Sequence, residues 1–177
     1  MTFENLMLEI HKENHMHKVR LSPLLFALLI MSLTSCKPEI IDPIPDTAIR
    51  FTIDINDMEF NALQSLGGST VVTSATNNFG SRAAGFNHNG ILIYRSLVDE
   101  FMAFDRTCPH CYATDKLSFI ISTEDNASIT AKCPHCDTEY FLEYNGMPNS
   151  GPGKYYLKNY KTTLNNGRYL TVWNNTK

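Results

Sequence analysis

The tetrapeptide Cys-Pro-His-Cys occurs twice in this chain, at 108–111 and again at 133–136. Each copy sets two thiols three residues apart with a histidine between them. Residues 112–132 are enough chain to turn back and bring the copies face to face. Thiols and imidazoles gathered in this way are the signature of a metal site. One Cys-x-x-Cys would say little, but two identical copies oblige the fold to place both around one point.

The remaining cysteine, Cys36, belongs to a different pattern. Lys12, Lys18 and Arg20 precede an almost wholly apolar run, Leu21–Leu33, and Leu33-Thr-Ser-Cys36 follows. A basic segment, a short apolar core and small residues before a cleavage point form a secretory signal. The run is shorter than the roughly 20 residues that span a bilayer. Leu-Thr-Ser-Cys resembles the bacterial lipobox, which implies cleavage before Cys36 and lipidation of its thiol. Residues 1–35 are then a lipoprotein signal peptide, and Met16 is an alternative start that would shorten it. Lys37 stands where some inner-membrane lipoproteins carry aspartate, which points to the outer membrane of a bacterial cell envelope. Three prolines make 36–48 a tether. The net charge is −3 and the basic residues are scattered, so no surface for nucleic acid is expected.

From residue 49 the pattern is β. Ile49–Ile55 alternates apolar and polar, as a half-buried strand does. Thr70–Thr73, Ile91–Arg95, Phe101–Phe104, Leu117–Ile121, Ser128–Lys132, Tyr140–Tyr144 and Arg168–Trp173 are further short candidates, punctuated by Gly and Asn turns. Asn61–Leu66 suggests one helical turn. Short strands at close spacing predict an all-β sandwich or small barrel over 49–177.

A strand-like run precedes each Cys-Pro-His-Cys, which puts both motifs at hairpin tips. Backbone N–H groups of a Cys-x-x-Cys turn point at the first sulfur and stabilise the thiolate that a metal requires. Asp105, Arg106 and Lys132 read as polar strand ends beside the loops, His88 as a turn residue, and Tyr155, Tyr156 and Tyr160 as packing aromatics. The same tetrapeptide occurs in disulfide oxidoreductases, but there it opens a helix in a βαβ unit. Here the following residues lead back into β-like runs.

The stretch from Gly90 to Trp173 resembles a Rieske domain, whose family carries Cys-x-His on one loop and Cys-x-x-His on a second. Gly90–Arg95 and Phe101–His110 look like the strands entering the first cluster loop. Glu139–Gly146 looks like the strand and turn after the second loop, and Met147–Gly153 like the proline loop that covers the cluster. Tyr156–Lys161 and Tyr169–Val172 look like the closing strands. The resemblance implies a Rieske-like β domain with two metal-binding hairpin loops and a 2Fe-2S cluster. Cys108, His110 and Cys133 match the family motif, whereas Cys136 stands where the family has histidine and Cys111 is extra.

Three assignments follow. One is a 2Fe-2S cluster on Cys108, His110 and Cys133, with Cys136 or His135 as fourth ligand. Another is zinc or one iron on Cys108, Cys111, Cys133 and Cys136. The third is two disulfides and no metal, since an exported chain meets oxidising conditions. A cluster would make the protein a lipid-anchored one-electron carrier for an unknown membrane or periplasmic redox partner. A four-cysteine zinc site would make it a structural or interaction module. No catalytic constellation stands out.

Overall fold

In Arg50–Asp54 (β1) the alternation is realised directly: Phe51 and Ile53 are buried, and Arg50, Thr52 and Asp54 point the other way. The computed structural model describes residues 42–174. The signal peptide, Cys36 and the first part of the tether lie outside the described residues. The other strands are β2 (Ser69–Val72), β3 (Phe79–Arg82), β4 (Ile91–Arg95), β5 (Phe101–Asp105), β6 (Thr130–Lys132), β7 (Glu139–Phe141), β8 (Met147–Ser150), β9 (Asn159–Asn165) and β10 (Tyr169–Trp173). Among the described residues one α-helix, α1, spans Pro109–Asp115.

Seven strands form an antiparallel sheet in the order β2-β4-β5-β9-β10-β1-β3, and β6-β7-β8 form a separate sheet of three. The large sheet curls around one core, built from Phe51, Ile53, Ile91, Ile93, Ala103, Tyr160, Leu170 and Val172 with Phe60 and Leu63 from a 3-10 segment, Met58–Gln64. A second core lies on the opposite face of β4 and β5, where Leu92, Tyr94 and Phe104 meet Ala131, Tyr140, Leu142 and three cysteines. β4 is therefore apolar on both sides, as a strand covered on both faces must be. Among the described residues the outer face of β1 and β10 stays open, which is why those two strands keep a strict alternation.

The all-β class is as expected, and the differences have physical causes. β8 contains Pro148, which reads as loop, yet β8 is an edge strand where a missing N–H is tolerated. Leu117–Ile121 pairs only through an isolated bridge, Thr107 to Ile120. Asp105, expected at a solvent-facing strand end, is fully buried. Its carboxylate accepts from the Tyr160 hydroxyl at 2.6 Å, Phe86 N–H at 2.7 Å and Thr107 N–H at 2.9 Å. The later part of the expected tether is packed on the domain. Ile44 is buried, and the Lys158 ammonium donates to Asp42 at 2.6 Å, Asp46 at 2.9 Å and the Ile44 carbonyl at 3.0 Å.

Asp105 ties β5, β9 and the first cysteine loop together through a charge with three donors. Tyr160→Phe removes one of them and should cost about 1.5–3 kcal/mol. Urea unfolding should show it as a lower midpoint at unchanged slope.

Candidate metal centre

Cys108 leaves β5 as the N-cap of α1, with Pro109 in the first turn, where its fixed φ and missing N–H suit a helix start. The Cys108 N–H is held by the Phe119 carbonyl at 2.7 Å. One turn of helix carries Cys111 to the same side as Cys108. The helix stops at Lys116, which takes a left-handed conformation with φ 59°. The expected hairpin tip is thus replaced at the first motif by a strand-to-helix turn. The second motif does sit between two antiparallel strands, β6 and β7. There Cys133 N–H donates to the Thr138 carbonyl at 2.9 Å, and Asp137 N–H donates to the Cys133 carbonyl at 3.0 Å. A helix after Cys-Pro-His-Cys is what an oxidoreductase motif would need, but every strand pairing around it is antiparallel. No βαβ unit surrounds it.

The two knuckles meet with all four sulfurs within 4.8 Å of one another. Cys108 Sγ lies 3.7 Å from Cys136 Sγ, and Cys111 Sγ lies 3.7 Å from Cys133 Sγ. Metal–sulfur bonds of about 2.3 Å in a tetrahedron give sulfur–sulfur edges of about 3.8 Å. The spacing therefore fits one four-coordinate ion. A two-iron cluster holds its thiolate pairs on different irons and spreads them further apart. Cys108, Cys111 and Cys133 are buried, and Cys136 is half-buried.

Electrostatics point the same way. The Cys133 thiol is lowered to about 5, first by its hydrogen bond with Cys108 and then by backbone N–H groups of Cys136 and His135. That hydrogen bond raises Cys108 in turn, with burial adding to it, and burial pushes Cys111 up to about 12. One thiolate is welcome among these sulfurs, and further ones repel it. Four thiolates in a buried space require a cation. The donor set thus fits a metal ion.

Two hydroxyls complete the surroundings. Tyr140, fully buried on β7, has its hydroxyl 3.4 Å from Cys108 Sγ. Burial is the larger cause, and the adjoining thiol the next, of a phenol raised well above its ordinary value. Thr138 Oγ1 is 3.2 Å from Cys136 Sγ and accepts the Gly153 N–H at 3.0 Å, so the loop after β8 is fastened to the centre. Sequence reasoning took Tyr140 as strand and gave Thr138 no part. The signal was their distance from the motif, since residues two and four places beyond Cys136 reach back over the knuckle.

Of the six expected ligands the structure brings the four cysteines together. His110 lies in α1, where its carbonyl accepts from Thr114 Oγ1 at 2.9 Å. His135 is exposed, its ring stacked on Phe119 at 3.7 Å. Neither imidazole belongs to the converging group. Lys132 spends its charge at the surface, on Asp137 at 3.2 Å.

No protein-family model matches the chain, and no curated protein does. Several solved chains are similar to it at a distance, two of them as follows. The ferredoxin of carbazole 1,9a-dioxygenase from Nocardioides aromaticivorans IC177 is 13% identical with a TM-score of 0.43, covering 73% of this chain and 100% of that one. A chain in the complex of reduced oxygenase and oxidized ferredoxin in carbazole 1,9a-dioxygenase is 20% identical with a TM-score of 0.40, covering 64% and 86%.

Competition against a chromophoric chelator should sort the ligands. Cys111→Ser should weaken metal retention by more than about 100-fold, whereas His110→Ala and His135→Ala should leave it unchanged. A loss in His110→Ala comparable to that in Cys111→Ser would return histidine to the shell. Tyr140→Phe should weaken retention by roughly tenfold, because the buried thiolate loses a donor.

Proposed function

We propose that this protein is an envelope metalloprotein whose centre is one Zn2+ in a shell of four thiolates, Cys108, Cys111, Cys133 and Cys136. Its role is to fasten the small sheet and α1 onto the outer face of the large sheet. The observation that carries this reading is the mutual packing of the four sulfurs at tetrahedral spacing. The bound ion supplies positive charge to the thiolates and leaves no coordination position open. Zinc held this way contributes directly to folding, and strands of three and four residues need such help.

Electron transfer is the second reading, and a separate observation favours it. Hydroxyls of Tyr140 and Thr138 lie against Cys108 and Cys136, and the Cys136 sulfur is partly open to solvent. With iron, such a centre would exchange one electron with a redox partner. A single iron suits the sulfurs where they stand, and the 2Fe-2S cluster implied by the Rieske-like sequence would need the knuckles to part. We further propose that Cys36 carries the lipid and holds the domain at the outer membrane, supported by the apolar leader and Leu-Thr-Ser-Cys.

Metal analysis of the purified protein separates the readings. Zinc in a colourless protein at one per chain is expected. Iron with equal acid-labile sulfide and visible absorption would overturn zinc in favour of the cluster. Stripping the metal with a chelator should lower the melting temperature by roughly 10 °C or more. For the anchor, wild-type cells should incorporate radiolabelled palmitate into the protein and Cys36→Ala cells should not.

A further inference from the structure

The chain contains a single tryptophan, and neither core uses it. Trp173 ends β10, half-buried, on the outer face of the large sheet. Across the ladder it stands opposite Lys161 of β9 on one side and Arg50 of β1 on the other. The β5–β9 ladder runs through Ala103–Tyr160 and Phe104–Asn159, and past it Thr162 Oγ1 donates to the Phe101 carbonyl at 2.7 Å. Along these strands lies a cleft of about 460 Å³, whose apolar lining includes Met102 and Trp173 and whose polar lining includes Glu100, Lys161, Asn159 and Asn145. Asn145 comes from the turn between β7 and β8, so the small sheet supplies one wall.

Those polar groups are largely unspent. Among the described residues, the Glu100 carboxylate, the Lys161 ammonium, the Asn145 side-chain amide and the Trp173 indole N–H have no side-chain hydrogen-bond or ion-pair partner. The Asn159 amide makes one long contact, 3.4 Å to the Asn145 carbonyl. An indole left at a surface, rather than in a core where its area would be worth most, has an apolar face to offer a ligand. Around it stand an acceptor-only carboxylate, a donor-only ammonium and amides that do both. One negative and one positive charge favour no net charge in the ligand. An apolar ring face combined with mixed donors and acceptors at its rim is the complement of a pyranose, whose C–H face is apolar and whose edge carries hydroxyls.

We propose that this cleft is a binding site for a short neutral oligosaccharide, seated on Trp173 with its hydroxyls shared among Glu100, Lys161, Asn145 and Asn159. The volume lies within the range of small-molecule sites, at about 300–1,000 Å³. The site is independent of which metal the cysteines hold.

Because Trp173 is the only tryptophan, its emission reports the site without labelling. The purified full chain is titrated with cellotetraose, maltotetraose and the tetramer of N-acetylglucosamine, to about 10 mM each, with calorimetry in parallel. At least one should give a saturable change in emission. Glu100→Ala and Lys161→Met, both exposed positions, should each weaken it by roughly fivefold to tenfold. Trp173→Ala, followed by calorimetry and checked for folding by its melting curve, should abolish it. No saturable response to any of the three overturns the proposal, and so does binding that survives both surface substitutions.

Discussion

The meeting of four cysteine sulfurs ties together at one point two sheets that are also packed through the second core. Cys108 and Cys111 come from the end of β5 and the start of α1, and so from the large sheet. Cys133 and Cys136 come from the turn between β6 and β7, and so from the small one. The protonated state of this cluster is self-limiting. Cys133 ionises readily because Cys108 and two backbone N–H groups donate to it, and the same proton is then held on Cys108. A divalent cation removes that conflict, converting mutual repulsion into a common bond across two sheets.

What places the first knuckle is the double-sided burial of β4 and β5. Their inward residues belong to the core inside the curled sheet, and their outward residues belong to the core beneath the cysteines. Asp105 stands where the two regions join, two positions before Thr107 and three before Cys108. Its carboxylate gathers donors from β9, from the loop at Phe86 and from Thr107 itself. Just beyond, Lys158 draws the segment from Asp42 to Asp46 against the start of β9. Buried charges with full sets of partners thus fix the backbone on which the metal ligands depend.

The sequence made the strands legible where alternation was strict, as in Arg50–Asp54 and Tyr169–Trp173, because one face is core and the other is not. It hid β8, where Pro148 and Asn149 signal a loop and the edge position alone makes a strand tolerable. It also hid α1. The residues after Cys108 include Pro109 and Ala113, a sound helix start, but the strand-like run before each tetrapeptide argued for two hairpin tips. The symmetry of the two tetrapeptides is expressed in the sulfurs, which converge, and not in the backbones that carry them. Asp105 was misread because a charged residue at a strand end usually faces water, and its burial depends on partners far away in sequence.

Four converging cysteines, three of them buried, bear on where function can reside. With all four cysteines as ligands, a bound ion would offer a substrate atom no position without displacing one of them. Both histidines lie outside the group of four sulfurs, His135 stacked on Phe119 and His110 along α1. An ion held by these four sulfurs would give structural support or, if redox-active, pass an electron. Recognition of any other molecule must use the surface. Among the described residues the second core covers β4 and β5 and leaves β10 and β1 open, so the packing that buries the cysteines also determines which part of the sheet stays accessible.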